Sequence, residues 1–317
     1  MSLASIFATA IAPIVALAGV GFLLARATGV EADGLNTVTI YVLAPALVFH
    51  SLATTDLASG TLLGVGVGVL AFTVVMALLA EVTGRTLGET EPVLGTLVLV
   101  SVFSNAGNYG IPVSEFAFGE VGRATAVVYL VAQSVAMYTL GVYLAARGDG
   151  ARFREGLKTV FSIPLIYAVV AAFALRALGA VPPDDGSTMQ FVKLVGDSAI
   201  PVMLLILGIE LARTDVGNAT LRVSPATVLK MAVAPLVAVA IALAVGFQNP
   251  TVARVFVLES AMPTAVTTLI LSGEFAGPAD GGLEATDYAS TTIFVTTLLS
   301  VPILTVLIAI LQQGWVF

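Results

Sequence analysis

A polar stretch, SNAGNYGIP, lies from 104 to 112 between two strongly apolar parts of the chain. Asparagine both donates and accepts hydrogen bonds, and glycine lets a ligand or another backbone approach closely. Proline suits the first turn of a helix that restarts after a break. We therefore predict a broken helix with a binding site beside it, lined by Asn105, Gly107, Asn108, Tyr109, Gly110 and Pro112.

A second polar interruption, LESAMPTAVTT, lies from 258 to 268 in another apolar part of the chain. We predict that this helix breaks as well, so that Pro263 and Thr264 complete the binding site. A helix that restarts presents bare N–H groups and the positive end of its dipole, which suit an anion. The alternative for each stretch is an unbroken helix, kinked at its proline and packed through small residues.

Glu259, within the second polar stretch, is the candidate for holding a cation. An isolated carboxylate in an apolar segment is costly, so it usually has a partner or a function. A sodium ion could be held by the oxygen atoms of Ser104, Asn105 and Glu259, or Glu259 could itself carry a proton. The alternative is a glutamate near the outer surface that is hydrated or paired with Arg254. Glu115 is either a carboxylate in the first turn of the restarted helix or a further proton site.

The elements that must position these residues are predicted to be membrane helices. The chain of 317 residues is 58% hydrophobic and only 10% charged, whereas about a quarter of the residues of a soluble protein are charged. Continuous apolar runs of about 20 residues indicate spanning helices rather than the alternating strands of a barrel. The chain divides into ten such segments: 4–26, 35–55, 59–82, 93–118, 124–146, 158–180, 190–212, 224–246, 252–274 and 287–311.

The positive charges predict the orientation, because Lys and Arg concentrate in cytoplasmic loops. The most basic loop, RGDGARFREGLK, runs from 147 to 158, after the fifth segment. With this loop inside the cell, the loop with Arg85 is also inside, and so are Arg222 and Lys230, around the loop between segments seven and eight. Both termini are then expected outside.

The basic loop also divides the chain into two halves of five segments each. Because five is an odd number, the second half is inverted relative to the first. The spacing from Pro13 to Pro112 equals the spacing from Pro164 to Pro263, which favours an inverted repeat. We predict a first five-helix repeat over 1–148, a cytoplasmic linker over 149–157 and a second repeat over 158–317.

The composition also excludes several kinds of site. The chain has no cysteine and one histidine, so it can form neither a thiolate metal site nor a multi-histidine site within one chain. An intramembrane aspartyl protease needs two facing aspartates, and only Asp197 lies convincingly inside a segment. We therefore expect no enzyme, no nucleic-acid partner, and no cofactor beyond a coupled sodium ion or proton.

The stretches SVFSNAGNYGIPVSEFAFG and SAMPTAV resemble the auxin efflux carrier family, which includes plant PIN-type carriers and prokaryotic permeases. The resemblance covers nearly the whole chain. It implies an all-α fold like that of the bile acid symporters, with ten transmembrane helices in two inverted repeats. Helices one, two, six and seven would form a scaffold, and the others a moving transport domain. Helices four and nine would cross at their broken centres, with Asn105, Asn108 and Pro112 opposite Pro263.

The resemblance further implies a secondary transporter of a small organic anion, such as an auxin-like carboxylate or a dicarboxylate. It places the protein in the lipid bilayer of the cell membrane as a homodimer formed through the scaffold helices. The segment around Glu259 resembles the ninth helix of sodium-coupled bile acid symporters, in which a Ser-Asn pair on helix four helps to bind sodium. Ser104 and Asn105 match that pair. An ion channel or a receptor with a transporter fold is the alternative, and the substrate, direction and coupling ion stay open.

Overall fold

The computed structural model describes residues 3–146, 161–214, 221–275, 283–314 and 316–317. The predicted linker over 149–157 and the basic residues from 147 to 158 lie outside the described residues. Within those ranges every regular element is a helix, and seven helices are long and apolar enough to cross a membrane. The predicted all-helical membrane class is therefore confirmed, while the inverted repeat stays a prediction.

The helices follow the apolar segments of the sequence closely. We number them along the chain and give the π-helical turns as parts of the helices that contain them. The bounds are α1 Ala4–Thr28, α2 Asp33–Thr54, α3 Gly60–Thr86, α4 Val93–Val102, α5 Ala106–Leu144, α6 Pro164–Ala177, α7 Ser187–Arg213, α8 Ser224–Val245, α9 Pro250–Ser260, α10 Thr267–Phe275 and α11 Ala285–Gln312.

Helix α5 changes direction at Gly119, which adopts φ 64° and ψ −150° inside it. A positive φ is open to glycine without steric cost, so this residue permits the turn. The part of α5 before Gly119 is a short half-helix that begins just after the break in the chain. The part after it is the long apolar helix that carries Arg123, Tyr129 and Gln133.

Wide π-helical turns precede four prolines inside the helices. The turns Phe7–Ile11, Thr39–Leu43, Ala106–Gly110 and Leu229–Val233 are each followed, two residues on, by a proline. Proline lacks an N–H and its ring collides with the carbonyl four residues earlier in an α-helix. A wider turn relieves this conflict, and such turns are frequent at functional sites. The prolines therefore shape the helices locally without ending them.

The helices pack in two groups. Helices α1, α2, α6 and α7 pack mainly on each other, and their closest pair is α1 with α7. Helices α3, α4, α5, α8, α9, α10 and α11 form the other group around a common apolar core. Glycine at 21 and at 208 brings the backbones of α1 and α7 together, since a Cβ at either position would collide with a main-chain carbonyl of the other helix.

An ion pair joins two loops that were predicted to lie on the same side of the membrane. Arg222 lies 2.5 Å from Glu89, which follows the helix that ends near Arg85. Lys230 does not belong to these loops, and its placement beside a cytoplasmic loop was wrong. It lies six residues inside α8 and is completely buried.

Candidate functional site

The two predicted breaks are present, and they meet. Helix α4 ends at Val102 before α5 begins, and α9 ends at Ser260 before α10 begins. The extended residues between the half-helices form an antiparallel β-bridge, Ser104 with Thr264. The N–H of Asn105 donates to the carbonyl of Pro263 at 2.7 Å, and the N–H of Ala265 donates to that of Phe103 at 3.0 Å. The alternative of two unbroken kinked helices is therefore wrong.

Side chains from neighbouring helices hold this crossing in place. Gln133 of α5 accepts from the N–H of Ser104 at 3.0 Å and donates to its carbonyl at 2.8 Å. On the other strand, Thr296 of α11 accepts from the N–H of Thr264 at 3.2 Å. The hydroxyl of Thr264 donates to the carbonyl of Val100 at 2.8 Å. Main-chain groups that the breaks expose are thus satisfied by buried polar side chains, as groups away from water must be.

The helix ends that lead into the crossing converge on one lysine, Lys230 of α8. Its ammonium donates to the hydroxyl of Ser104 at 2.6 Å, and to the carbonyls of Val102 and Ser260 at 3.3 Å each. It also lies 5.8 Å from the centre of the Phe72 ring. These five residues are buried, and within the described ranges no acidic side chain forms an ion pair with the ammonium. A positive charge therefore occupies the side of the crossing where bare carbonyls point.

Where α5 and α10 begin, just after the crossing, fewer main-chain groups have hydrogen-bond partners. In the part of the chain that the structure describes, the N–H groups of Gly107 and Asn108 find no protein acceptor, and neither do those of Val266 and Thr267. The first N–H groups of a helix are bare unless something caps them. The side chain of Asn108 is half-buried and likewise makes no hydrogen bond to a described residue. This side of the crossing offers donors without acceptors.

The carboxylate of Glu259 lies beside the first turn of α5, just after the break between α4 and α5. It accepts from the hydroxyl of Ser114 at 2.6 Å, and it is so close to Gly110 that a Cβ there would lie 2.1 Å from it. Its second oxygen is buried without a hydrogen-bond partner. Glu259 is fully buried, and Arg254 instead donates to the carbonyl of Phe317. The alternative of a surface glutamate paired with Arg254 is therefore wrong.

The predicted sodium ligands are not brought together around one vacant point. The hydroxyl of Ser104 is taken by Lys230, whereas the carboxylate of Glu259 contacts Ser114. Asn105 lies in the crossing and joins it through its main chain. Of the predicted substrate residues, Tyr109 is almost fully buried, with its hydroxyl 3.1 Å from Ser300. Pro112 and Pro263 are buried, and Gly107 is half-buried beside Asn108.

Glu115 has a different role from the one predicted by its position. It lies beyond the first turn of the half-helix, which contains no acid, so a role in that turn was wrong. Its carboxylate lies 3.7 Å from the guanidinium of Arg123. Arg123 also binds Asp197 of α7 at 2.6 Å, and Lys193 lies 3.7 Å from the same carboxylate. Lys193 and Asp197, four residues apart on α7, therefore pair as part of a larger ion cluster.

This cluster borders a cavity of about 260 Å³ between the two helix groups. His50 and Thr54 of α2 and Lys193 of α7 line one wall, and Glu120 and Arg123 of α5 line the other. The contact of Arg123 with Asp197 therefore bridges the groups directly. Because Arg123 is mostly buried and its acceptor is half-exposed, the pair lies at the edge of the packed region.

Sequence reasoning missed three residues that the structure brings to the sites: Gln133, Lys230 and Arg123. Lys230 carried a signal, since it stands within an apolar segment, where an ionisable residue by default marks a functional site. Gln133 gave the same kind of signal more weakly, as an uncharged amide within a long apolar helix. Arg123 gave no such signal, because it lies in the sequence between two predicted segments, 93–118 and 124–146.

Comparison with known proteins gives matches along nearly the whole chain. The model of the family described as membrane transport protein matches residues 6–156 and 155–308. An uncharacterized transporter of Methanocaldococcus jannaschii is 25% identical over 291 residues, covering 89% of this chain and 88% of that protein. A Rhizobium meliloti protein named "Putative malonate transporter" is 23% identical over 317 residues, covering 95% of each chain. Both alignments include the residues of the crossing.

Proposed function

Because the chain belongs to the membrane transport protein family, we propose that it is a secondary active transporter of a small organic anion, working by alternating access. The observation that carries the proposal is the crossing of two interrupted helices with unsatisfied N–H donors on one side. In transporters built from inverted repeats, substrates bind at such broken helices near the middle of the bilayer.

The anion is proposed to bind beside Asn108. Bare N–H groups at the start of a helix attract negative charge, because hydrogen bonds and the helix dipole act in the same direction. The Asn108 amide adds a donor that can reach a carboxylate oxygen. The relative named as a malonate transporter supports a carboxylate, and among carboxylates a short dicarboxylate, as the first compound to test.

The two helix groups are proposed to move against each other during transport. Helices α1, α2, α6 and α7 would form the scaffold, joined to a second copy in a homodimer, and the other group would carry the site. This arrangement corresponds to ten spans in two inverted repeats with both termini outside the cell membrane. The ion pair of Arg123 with Asp197 joins the groups, so it would have to open in each cycle.

A gradient must drive accumulation of an anion, and Glu259 is the proposed coupling residue. A membrane potential is worth about 2.3 kcal/mol per charge per 100 mV, which expels an anion from a negative interior. The carboxylate of Glu259 lies against Gly110, which follows Asn108 by two residues along the chain. An anion near Asn108 would repel it unless a cation neutralises Glu259. Binding of the anion and of the coupling cation would therefore favour each other.

The test is binding and exchange by purified protein with the Asn108→Ala substitution. Calorimetry with malonate, succinate and indole-3-acetate should show saturable binding of at least one of them to the wild type. Asn108→Ala should weaken that binding at least tenfold, the loss of about 1.4 kcal/mol expected for one hydrogen bond to a charged group.

Asn36→Ala serves as the matched control, because Asn36 bonds Glu210 in the scaffold group, away from the crossing. It should bind the anion as the wild type does. Equal affinity in Asn108→Ala and wild type would remove Asn108 from the site. Reconstituted protein that conducts the anion but shows no counterflow would contradict a carrier and favour a channel.

A further inference from the structure

Among the residues that the structure describes, the buried ammonium of Lys230 has no salt-bridge partner. Its three acceptors are the hydroxyl of Ser104 and the carbonyls of Val102 and Ser260. Val102 is the last residue of α4, and Ser260 is the last residue of α9. Both half-helices thus point their final carbonyls at one nitrogen atom.

The last carbonyls of a helix carry partial negative charge, and they lack donors within the helix. Two such ends close together in a dry interior repel each other unless a cation lies between them. Isolated charges are costly to bury, so the acceptors must stabilise the ammonium in return. The π-helical turn Leu229–Val233 contains the lysine, and such turns are frequent at functional sites.

In transporters with broken helices, unwound carbonyls and half-helix C-terminal ends are the groups that coordinate sodium. We propose that the ammonium of Lys230 is a built-in substitute for such a sodium ion. It is a positioning residue that holds the two helix breaks together without any bound alkali cation. The crossing therefore assembles independently of sodium, and any sodium dependence of transport must originate elsewhere in the protein.

The test compares thermal stability in sodium chloride and in choline chloride at equal ionic strength, with purified protein and no organic anion. Any sodium response of the wild type, such as one from an ion bound at Glu259, is the baseline against which the variants are compared. Lys230→Ala removes the ammonium and leaves space beside three oxygen atoms. It should melt lower in choline and recover in a saturable way with sodium, by about 5–10 °C when sodium is a hundredfold above its dissociation constant.

Lys230→Met is the matched variant, because it also removes the charge but fills the space with an apolar chain of similar length. Its response to sodium should be no larger than that of the wild type. A sodium response of Lys230→Ala no larger than that of the wild type, or an equally enlarged response of Lys230→Met, would overturn the proposal. If Lys230→Ala can be purified only in sodium, that requirement supports it, provided that potassium and choline do not substitute.

Methylammonium chloride gives a second readout that a purely structural role would not change. The small cation should stabilise Lys230→Ala, since it restores an ammonium next to the same oxygens, and it should leave wild type and Lys230→Met unaffected. Because no organic anion is present, the result does not depend on the proposed transport function. Failure of either proposal can therefore be told from failure of the other.

Discussion

The two sides of the helix crossing differ in how their main-chain groups are satisfied. We call the side where α4 and α9 end the incoming side, and the side where α5 and α10 begin the outgoing side. On the incoming side, Lys230 donates to the carbonyls of Val102 and Ser260, and Gln133 accepts from the N–H of Ser104. On the outgoing side, several N–H groups have no acceptor among the described residues, and Asn108 is half-buried and unbonded. The protein completes the negative side with its own cation and leaves the positive side incomplete.

This difference supports the proposal of a negatively charged solute. Breaking two helices exposes equal numbers of donors and acceptors, so the breaks alone would suit a cation as well as an anion. A resident ammonium removes the attraction for a cation on the incoming side. The donors on the outgoing side are then the groups still available, and they suit a negatively charged molecule.

The largest effect on stability is expected for Gln133→Leu, which removes hydrogen bonds from the incoming side. Among the described residues, the Gln133 side chain is the only acceptor for the N–H of Ser104, and the substitution removes it from a fully buried place. A buried donor left without a partner costs on the order of 2–3 kcal/mol. The melting temperature in detergent should fall by roughly 5–10 °C.

Gln190→Leu is the control, because Gln190 is exposed and its amide donates only to the carbonyl of Asp185 nearby. It should melt within about 2 °C of wild type, since exposed substitutions are usually within 0.5 kcal/mol. If Gln133→Leu melts no lower than Gln190→Leu, stability does not depend on hydrogen bonding of every main-chain group on the incoming side. The comparison between the two sides then fails.

The sequence predicted the crossing but not its charge. Proline, glycine and asparagine in apolar segments act through local backbone preferences, so SNAGNYGIP and SAMPTAV were readable as breaks. The meeting of Lys230 with Ser104 spans 126 residues along the chain, and no local preference encodes it. A lysine six residues into a helix is equally compatible with an end that reaches the membrane surface. Only packing of α8 against α4 and α9 decides between these positions.

A smaller effect is expected for Thr296→Val, which changes the incomplete side. Valine keeps the shape of threonine and removes the acceptor for the N–H of Thr264. That bond is 3.2 Å long, and it lies beside donors that already lack protein partners. We expect a loss of about 1 kcal/mol, seen as a fall of a few degrees in melting temperature.

Thr305→Val is the control on the same helix, because the hydroxyl of Thr305 donates only to Val301 one turn earlier. It should be nearly neutral. A cost for Thr296→Val that equals the cost for Gln133→Leu would mean that both sides need complete satisfaction. That result would contradict the proposal that the N–H donors after the breaks bind a solute.

The smallest effect on stability, and the most specific effect on transport, is expected for Glu259→Gln. Glutamine can keep the hydrogen bond from Ser114 and removes a buried charge whose second oxygen has no partner. The two changes oppose each other, so the free energy of unfolding should shift by less than about 1 kcal/mol. The side chain then imitates a permanently neutralised carboxylate beside Gly110.

Exchange of anion for anion needs no change in the state of Glu259, whereas net accumulation does. Glu259→Gln should therefore retain counterflow in proteoliposomes and lose uptake driven by a proton or sodium gradient. Glu115→Gln is the control, since Glu115 is partly exposed and faces Arg123, and it should keep driven uptake. Driven uptake that persists in Glu259→Gln would assign coupling to another group, because a neutral side chain cannot gain and release a cation in each cycle.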